Sequence, residues 1–255
     1  MTYLVVVVDV TEQRSLCSIW TRLCRTTTTG WQSRFQRYLG EFETAGMDVE
    51  KSREACQNLD NYLAWSRRSS GFIMGLALIE YAEGLQMQED VFNSPGLTAL
   101  RQTTLDIIIW MHVRRVTSLL NTIPKLCFMQ DIASYNVQQA SGHDYNAVAV
   151  LMSEQRVTLQ TAMNRAGERV KALVTDFISQ EKVVSATSWG PYVDRDVRMY
   201  VVGLRDWVIG TAHWVYQCDR YFQGKGENVK AFGWVFLLPK NVVGGGEEEG
   251  DINTS

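Results

Sequence analysis

Only four prolines, at positions 95, 124, 191 and 239, interrupt 255 residues, which leaves long stretches where nothing breaks a helix. Within those stretches apolar residues recur three and four positions apart. Trp31, Phe35, Tyr38, Leu39 and Phe42 make one such stripe, and Val197, Tyr200, Val201, Leu204, Trp207 and Val208 make another. Residues so spaced share one helix face, and an apolar face needs a partner to bury it. Neither period-two alternation nor Asn-Gly hairpin turns recur, so the sequence predicts an all-α bundle. Breaks are expected at Gly46, at Asn93-Ser94-Pro95-Gly96, between Ser185 and Pro191, and from Gly224 to Gly226. The opening MTYLVVVVDV is β-branched and reads as a short strand or as a buried helix wall. The tail 241–255, ending GGGEEEGDINTS, has no apolar face and is expected to be disordered.

A net charge of −3 gives no basic footprint for nucleic acid or an anionic membrane. The five cysteines are odd in number and lack CxxC spacing, which argues against both a disulfide framework and a zinc site. The five consecutive apolar residues before Asp9 are too few for a secretion signal or a membrane span. A cytoplasmic protein is expected, monomeric or homodimeric, that engages neither nucleic acid nor membrane.

The stretch MQDIASYNVQQASG (129–142) places Gln130, Ser134 and Gln138 at steps of four. Four-residue steps stack side chains on one face, so three oxygen-bearing groups converge as metal ligands would. Hard cations favour carboxylate oxygens, and none of the three carries a charge. Asp131 is charged but lies about 100° around the helix from that face.

QDIASYNVQQASG with the following HDYNAVAVLM resembles the second metal motif of fungal class I sesquiterpene synthases, whose usual text is near NDIxSYNxEQARGDDxHNxV. YLAWSRRSSGF followed by ALIEYAEGL is similar to that family's RRDTSG segment. WGPYVDRDVRMYVVGLRDWV, CDRYF and WVFLLPK look like its last helices, including the Arg-Tyr pair. The resemblance runs from about Ser18 to Lys240. It implies a class I terpene synthase-like bundle, a single α-helical domain over 1–240, around an apolar cavity closed at one end, with the helices N-terminal to the first metal motif missing. It also implies a lyase of terpenoid biosynthesis, in which Mg²⁺ ions draw diphosphate off farnesyl diphosphate and the carbocation cyclises against aromatic walls. Trp65, Trp110, Trp207, Trp214 and Tyr135 are wall candidates, though a Trp at helical spacing is more often simply core.

Carried over residue by residue, the resemblance makes Arg67 the diphosphate-sensing arginine, Ser70 the linker and Gly71 the residue whose backbone shift triggers ionisation. Arg220 and Tyr221 match the pair that donates hydrogen bonds to diphosphate. The metal ligands would be Gln130, Ser134 and Gln138, with Asp9 leading the first, aspartate-rich motif. Here the chain departs from the family: Gln138 replaces a glutamate, Gln130 an asparagine and Ser141 an arginine, and Val10 and Gln13 stand where acids are usual. Catalysis by this chain is therefore expected to be impaired. The alternative is a non-catalytic isoprenoid- or diphosphate-binding protein, or a decayed helical homologue. TTLDIIIWM (103–111) and MQDIASYN (129–136) would join as one helix in the family, so residues 112–129 read as an insertion, and a translated, unspliced intron is one origin for it. Removing those 18 residues shortens the separation of Arg67 from Gln130 from 63 to 45, near the family's spacing.

Overall fold

A computed structural model of the chain describes residues 10–47, 54, 56–111, 135–140, 146–233 and 237–239. Its elements are helices: α1 (Val10–Thr26), α2 (Thr29–Met47), α3 (Leu59–Ser69), α4 (Phe72–Ala82), α5 (Glu89–Phe92), α6 (Pro95–Met111), α7 (Tyr135–Ala140), α8 (Ala147–Gln155), α9 (Leu159–Ala186), α10 (Val193–Gln217), α11 (Asp219–Phe222) and α12 (Gly226–Phe232). The all-α expectation holds for the described residues. The opening run, the 112–129 segment and the 241–255 tail lie outside them. No described helix is long and apolar enough to cross a membrane.

The expected breaks fall at helix ends for identifiable reasons. Gly46 sits in the last turn of α2. Pro95 begins α6, where its missing N–H and fixed φ cost nothing. The 185–191 stretch separates α9 from α10, and Gly224 separates α11 from α12. Other boundaries come from side chains that accept from exposed backbone N–H groups: Asn58 caps α3 through the Asn61 N–H at 2.8 Å, and Thr158 caps α9 through the Thr161 N–H at 3.3 Å. Arg156, which ends α8 in the left-handed region at φ 51°, carries no such signal in its residue type.

Helix α6 is the hub. Leu97 and Leu100 are buried, and so is every residue from Thr103 to Trp110, so the second half of the helix has no solvent face and must be wrapped. α9 and α10 pack against it, joined by α3, α4 and α5. Two reciprocal contacts set how closely α4 and α10 approach: the Trp207 ring lies over Gly75, and Ile79 lies over Gly203, so that a Cβ at either glycine would overlap its neighbour. Trp31 ties α2 to α4, donating its indole N–H to the Ala77 carbonyl at 2.6 Å, and stacks on Phe35 and on Trp20 of α1 at 5.1 and 6.4 Å.

A buried ion pair crosses the same region. Arg34 and Glu80 are each 1% exposed, with Nη2 2.7 Å from Oε2, and Arg34 also donates to Glu89 at 2.5 Å. Burial works against the charge of Arg34, but its hydrogen bonds and attraction to Glu80 and Glu89 outweigh that and hold the guanidinium above its ordinary value. Arg34 and Arg101 both lie against the Phe92 ring, at 4.4 and 3.9 Å from its centroid. At the other end of the chain, the backbone of Leu238 is clipped to α7: its N–H donates to Asn136 Oδ1 at 2.6 Å, and its carbonyl accepts from Gln139 Nε2 at 2.7 Å.

Two outcomes are expected. Glu80→Ala leaves a buried arginine short of its main partner and should cost about 3–5 kcal/mol in urea unfolding, whereas Arg34→Met with Glu80→Met should recover most of that loss. Asn136→Ala should raise hydrogen exchange at the Leu238 amide by about tenfold, the scale of one lost hydrogen bond; unchanged protection there would show that the clip contributes nothing.

Candidate functional site

The join between α3 and α4 gathers three of the expected site residues. Ser70 closes α3, its N–H donating to the Ser66 carbonyl at 3.0 Å. Gly71 follows in the left-handed conformation at φ 74°, a backbone state that favours glycine, and an added Cβ would sit 3.4 Å from the Phe42 ring. The Phe72 N–H then donates to Ser70 Oγ at 3.4 Å as α4 begins. Arg67 lies one turn before this break.

The Arg67 side chain is held by a residue that the motifs did not point to. Its Nε and Nη2 donate to the two carboxylate oxygens of Asp106 at 2.6 and 2.8 Å. The arrangement is a fork on a fork, the strongest geometry open to an arginine and a carboxylate. Asp106 is 9% exposed and Arg67 31%. Hydrogen bonding to Asp106 holds the Arg67 guanidinium above its ordinary value, burial opposes, and the charges of Asp106 and Asp60 add to the rise.

On α7 the last expected metal ligand is engaged with protein. Gln138 Oε1 accepts from Asn146 Nδ2 at 2.7 Å. Asn146 is buried, and its own Oδ1 caps α8 by accepting from the Val148 N–H at 2.8 Å. Gln138 is thus one end of a relay that orients the start of α8, which in turn packs against α3. Asp9, Gln130 and Ser134, along with Asp131 and Ser141, lie outside the described residues. Among the described residues no group of three or more His, Cys, Asp or Glu gathers in a way that could hold a metal ion.

Tyr221 is buried in a separate small cluster with Val215 and Phe222, its ring edge-on to Trp214 at 5.7 Å. The backbone of Arg220 belongs to α11, while its side chain lies outside the described residues. The aromatic wall candidates divide. Trp110 has no exposed surface and is core. Trp65 is half-buried and donates to the Ala45 carbonyl at 3.2 Å. Trp207 covers Gly75, Trp214 is among the exposed aromatics, and the half-buried Tyr135 donates to Met152 Sδ at 3.7 Å.

Four residues of this region escaped the sequence reading. Asp106 stands as the one charge inside the apolar text TTLDIIIWM, which was signal enough to ask what it pairs with. Asn136 and Gln139 agree with the motif but lie off its ligand face, so a metal-centred reading passes over them. Asn146 sits just ahead of an apolar helix, the ordinary place for a cap.

Comparison with known proteins gives this arrangement a family. Residues 12–176 match the family described as terpene synthase family 2, C-terminal metal binding. Among curated relatives, sesquiterpene synthase Agr1 of Cyclocybe aegerita is 31% identical over 86% of this chain and 58% of its own length. Sesquiterpene synthase 6 of Postia placenta is 31% identical over 88% and 61%, and alpha-muurolene synthase of Coprinopsis cinerea 32% over 86% and 47%. The chain thus spans about half to three fifths of the length of these relatives. Among solved structures, an a-eudesmol synthase superposes with a TM-score of 0.65 at 20% identity, over 80% of this chain and 62% of its own. Germacradien-4-ol synthase from Streptomyces citricolor gives 0.65 at 16%, over 83% and 63%. These two establish the fold, and with the family match extending over well more than half of its residues, the chain belongs to terpene synthase family 2 through that family's C-terminal metal-binding region.

Proposed function

We propose that the chain descends from a Mg²⁺-dependent sesquiterpene synthase acting on farnesyl diphosphate, and that as written it binds the diphosphate end of such a substrate but turns it over poorly. The observation that carries the binding half is the α3–α4 break: Arg67 stands one turn before a left-handed Gly71, with its side chain partly exposed. A guanidinium fork suits phosphate oxygens in a way that an ammonium does not. Arg220 and Tyr221 are proposed as further donors to the same diphosphate, with Ser70 and Gly71 as the segment that answers its arrival. The proposed unit is one domain over residues 1–240.

Impairment rests on Gln138. A Mg²⁺ ion gives up its water reluctantly and then wants charged oxygen. The Gln138 oxygen is neutral and already accepts from Asn146, so this donor does not fit a tightly held Mg²⁺, and no step is assigned to a metal at this position. Asp9, Gln130 and Ser134 are proposed as the remaining members of the ancestral ligand set. The same observation favours a second reading, a non-catalytic protein that binds an isoprenoid diphosphate. Release of diphosphate from farnesyl diphosphate in the presence of Mg²⁺ separates the two.

Inorganic diphosphate at 100 times its Kd should stabilise the protein by about 2.7 kcal/mol, read as a thermal shift, and Arg67→Ala should shrink the shift at the same concentration, leaving only what the other donors hold. Gln138→Glu with Ser141→Arg should make that shift more dependent on Mg²⁺ without giving appreciable product. Abundant cyclic product from the unmodified chain would overturn the impairment. Deleting 112–129, proposed as an insertion between α6 and α7, should raise the melting temperature, because it removes Pro124 and a poorly patterned basic segment from what would be one helix. An unchanged or lower value would make the segment an integral part of the fold.

A further inference from the structure

We infer that Asp106 is the positioning residue of the diphosphate site, fixing Arg67 so that one edge of its guanidinium faces the substrate; this rests on the reading of Arg67 given above. A guanidinium carries five N–H groups in a rigid plane. Two of them, on Nε and Nη2, are committed to Asp106 at 2.6 and 2.8 Å. Of the other three, one on Nη2 and one on Nη1 lie side by side on the adjoining edge, a spacing suited to two oxygens of a diphosphate, while the third, on Nη1, points back along the side chain.

The placement of Asp106 makes it a fixed anchor. It lies on the hub helix α6, between Leu105 and the buried run Ile107 to Trp110, so its backbone has little freedom to move. A carboxylate so placed is costly without a partner and is weak evidence of stabilisation even with one. Arg67, by contrast, reaches the surface with about a third of its side chain. The pair therefore has a rigid buried end and an accessible end, as an orienting carboxylate behind a ligand-binding group requires. Asp106 also repels an approaching polyanion, but solvent reaching Arg67 screens that repulsion, whereas freeing a long side chain loses its orientation outright.

The test is calorimetric titration of inorganic diphosphate into the full chain and into Asp106→Asn, Asp106→Glu, Arg67→Ala and the double variant Arg67→Ala/Asp106→Asn. Melting temperatures are recorded alongside to confirm that each variant is folded. Asp106→Asn is isosteric but presents an amide N–H to a donor, so diphosphate should bind about tenfold more weakly. Asp106→Glu, which keeps the carboxylate, should recover part of that loss. In the Arg67→Ala background Asp106→Asn should change nothing further, because a residue that acts only through Arg67 has no effect without it. Equal weakening in both backgrounds would mean a merely structural role, and unchanged or tighter binding by Asp106→Asn would mean that charge rather than orientation governs; either overturns the inference. If the unmodified chain does not bind diphosphate, or Arg67→Ala binds it undiminished, the reading of Arg67 falls and this inference falls with it. Weakened binding in Arg67→Ala with full binding in Asp106→Asn sinks the inference alone.

Discussion

The structure depends on one helix whose second half has no solvent face. Residues 103–110 of α6 are buried on every side, so the neighbouring elements are placed by the need to cover them: α9 and α10 foremost, with α3, α4 and α5. Each buried side chain there is worth about 1.5–3 kcal/mol relative to exposure, far more than any surface feature of the chain can supply. Two charges ride on this helix, and each must be met from outside. Arg101 donates to the Phe92 carbonyl and to Thr98 and lies against the Phe92 ring. Asp106 is met by Arg67. The first charge closes on the framework around it, while the second is met by a side chain that still reaches solvent.

Much of the fold was legible because its signals are local. Helix periodicity and the Gly and Pro breaks are written in neighbouring letters, and Trp31, Tyr38, Val197, Tyr200, Val201 and Leu204 are buried, as their stripes require. The site was legible only where it coincided with a local device. The Ser70-Gly71 break shows in the text because a left-handed residue between helices calls for glycine. The partner of Arg67 does not, because Asp106 is 39 residues away and only the packing of α3 on α6 brings the two together. Trp110 reads two ways for a related reason: its spacing fits both a wall and a core, and only the packing shows that it is fully buried.

Asn136 and Gln139 show a different limit. Both match the family text, and a reading centred on metal has no role for them. They hold the backbone of Leu238 from a position 99 to 102 residues earlier in the chain. Motif letters thus serve two masters on one short helix: one face would serve ions, while others fasten the C-terminal segment to it. A substitution at Gln138 can spare the fastening, because Gln138 is not one of the two side chains that hold Leu238.

That separation explains how Gln138 can differ from the family's glutamate while the helix it occupies keeps its neighbours. An amide and a carboxylate have nearly the same shape, and either can accept the Asn146 N–H that orders the start of α8. What the amide lacks is charge, which the packing of α7 and α8 does not need but a dication does. The contact with Asn146 satisfies the oxygen in the absence of any ion, so folding gains nothing from restoring the carboxylate. The packing of α7 on α8 therefore does not distinguish an amide from a carboxylate at this position, and the letter that stands there is set by something other than the fold.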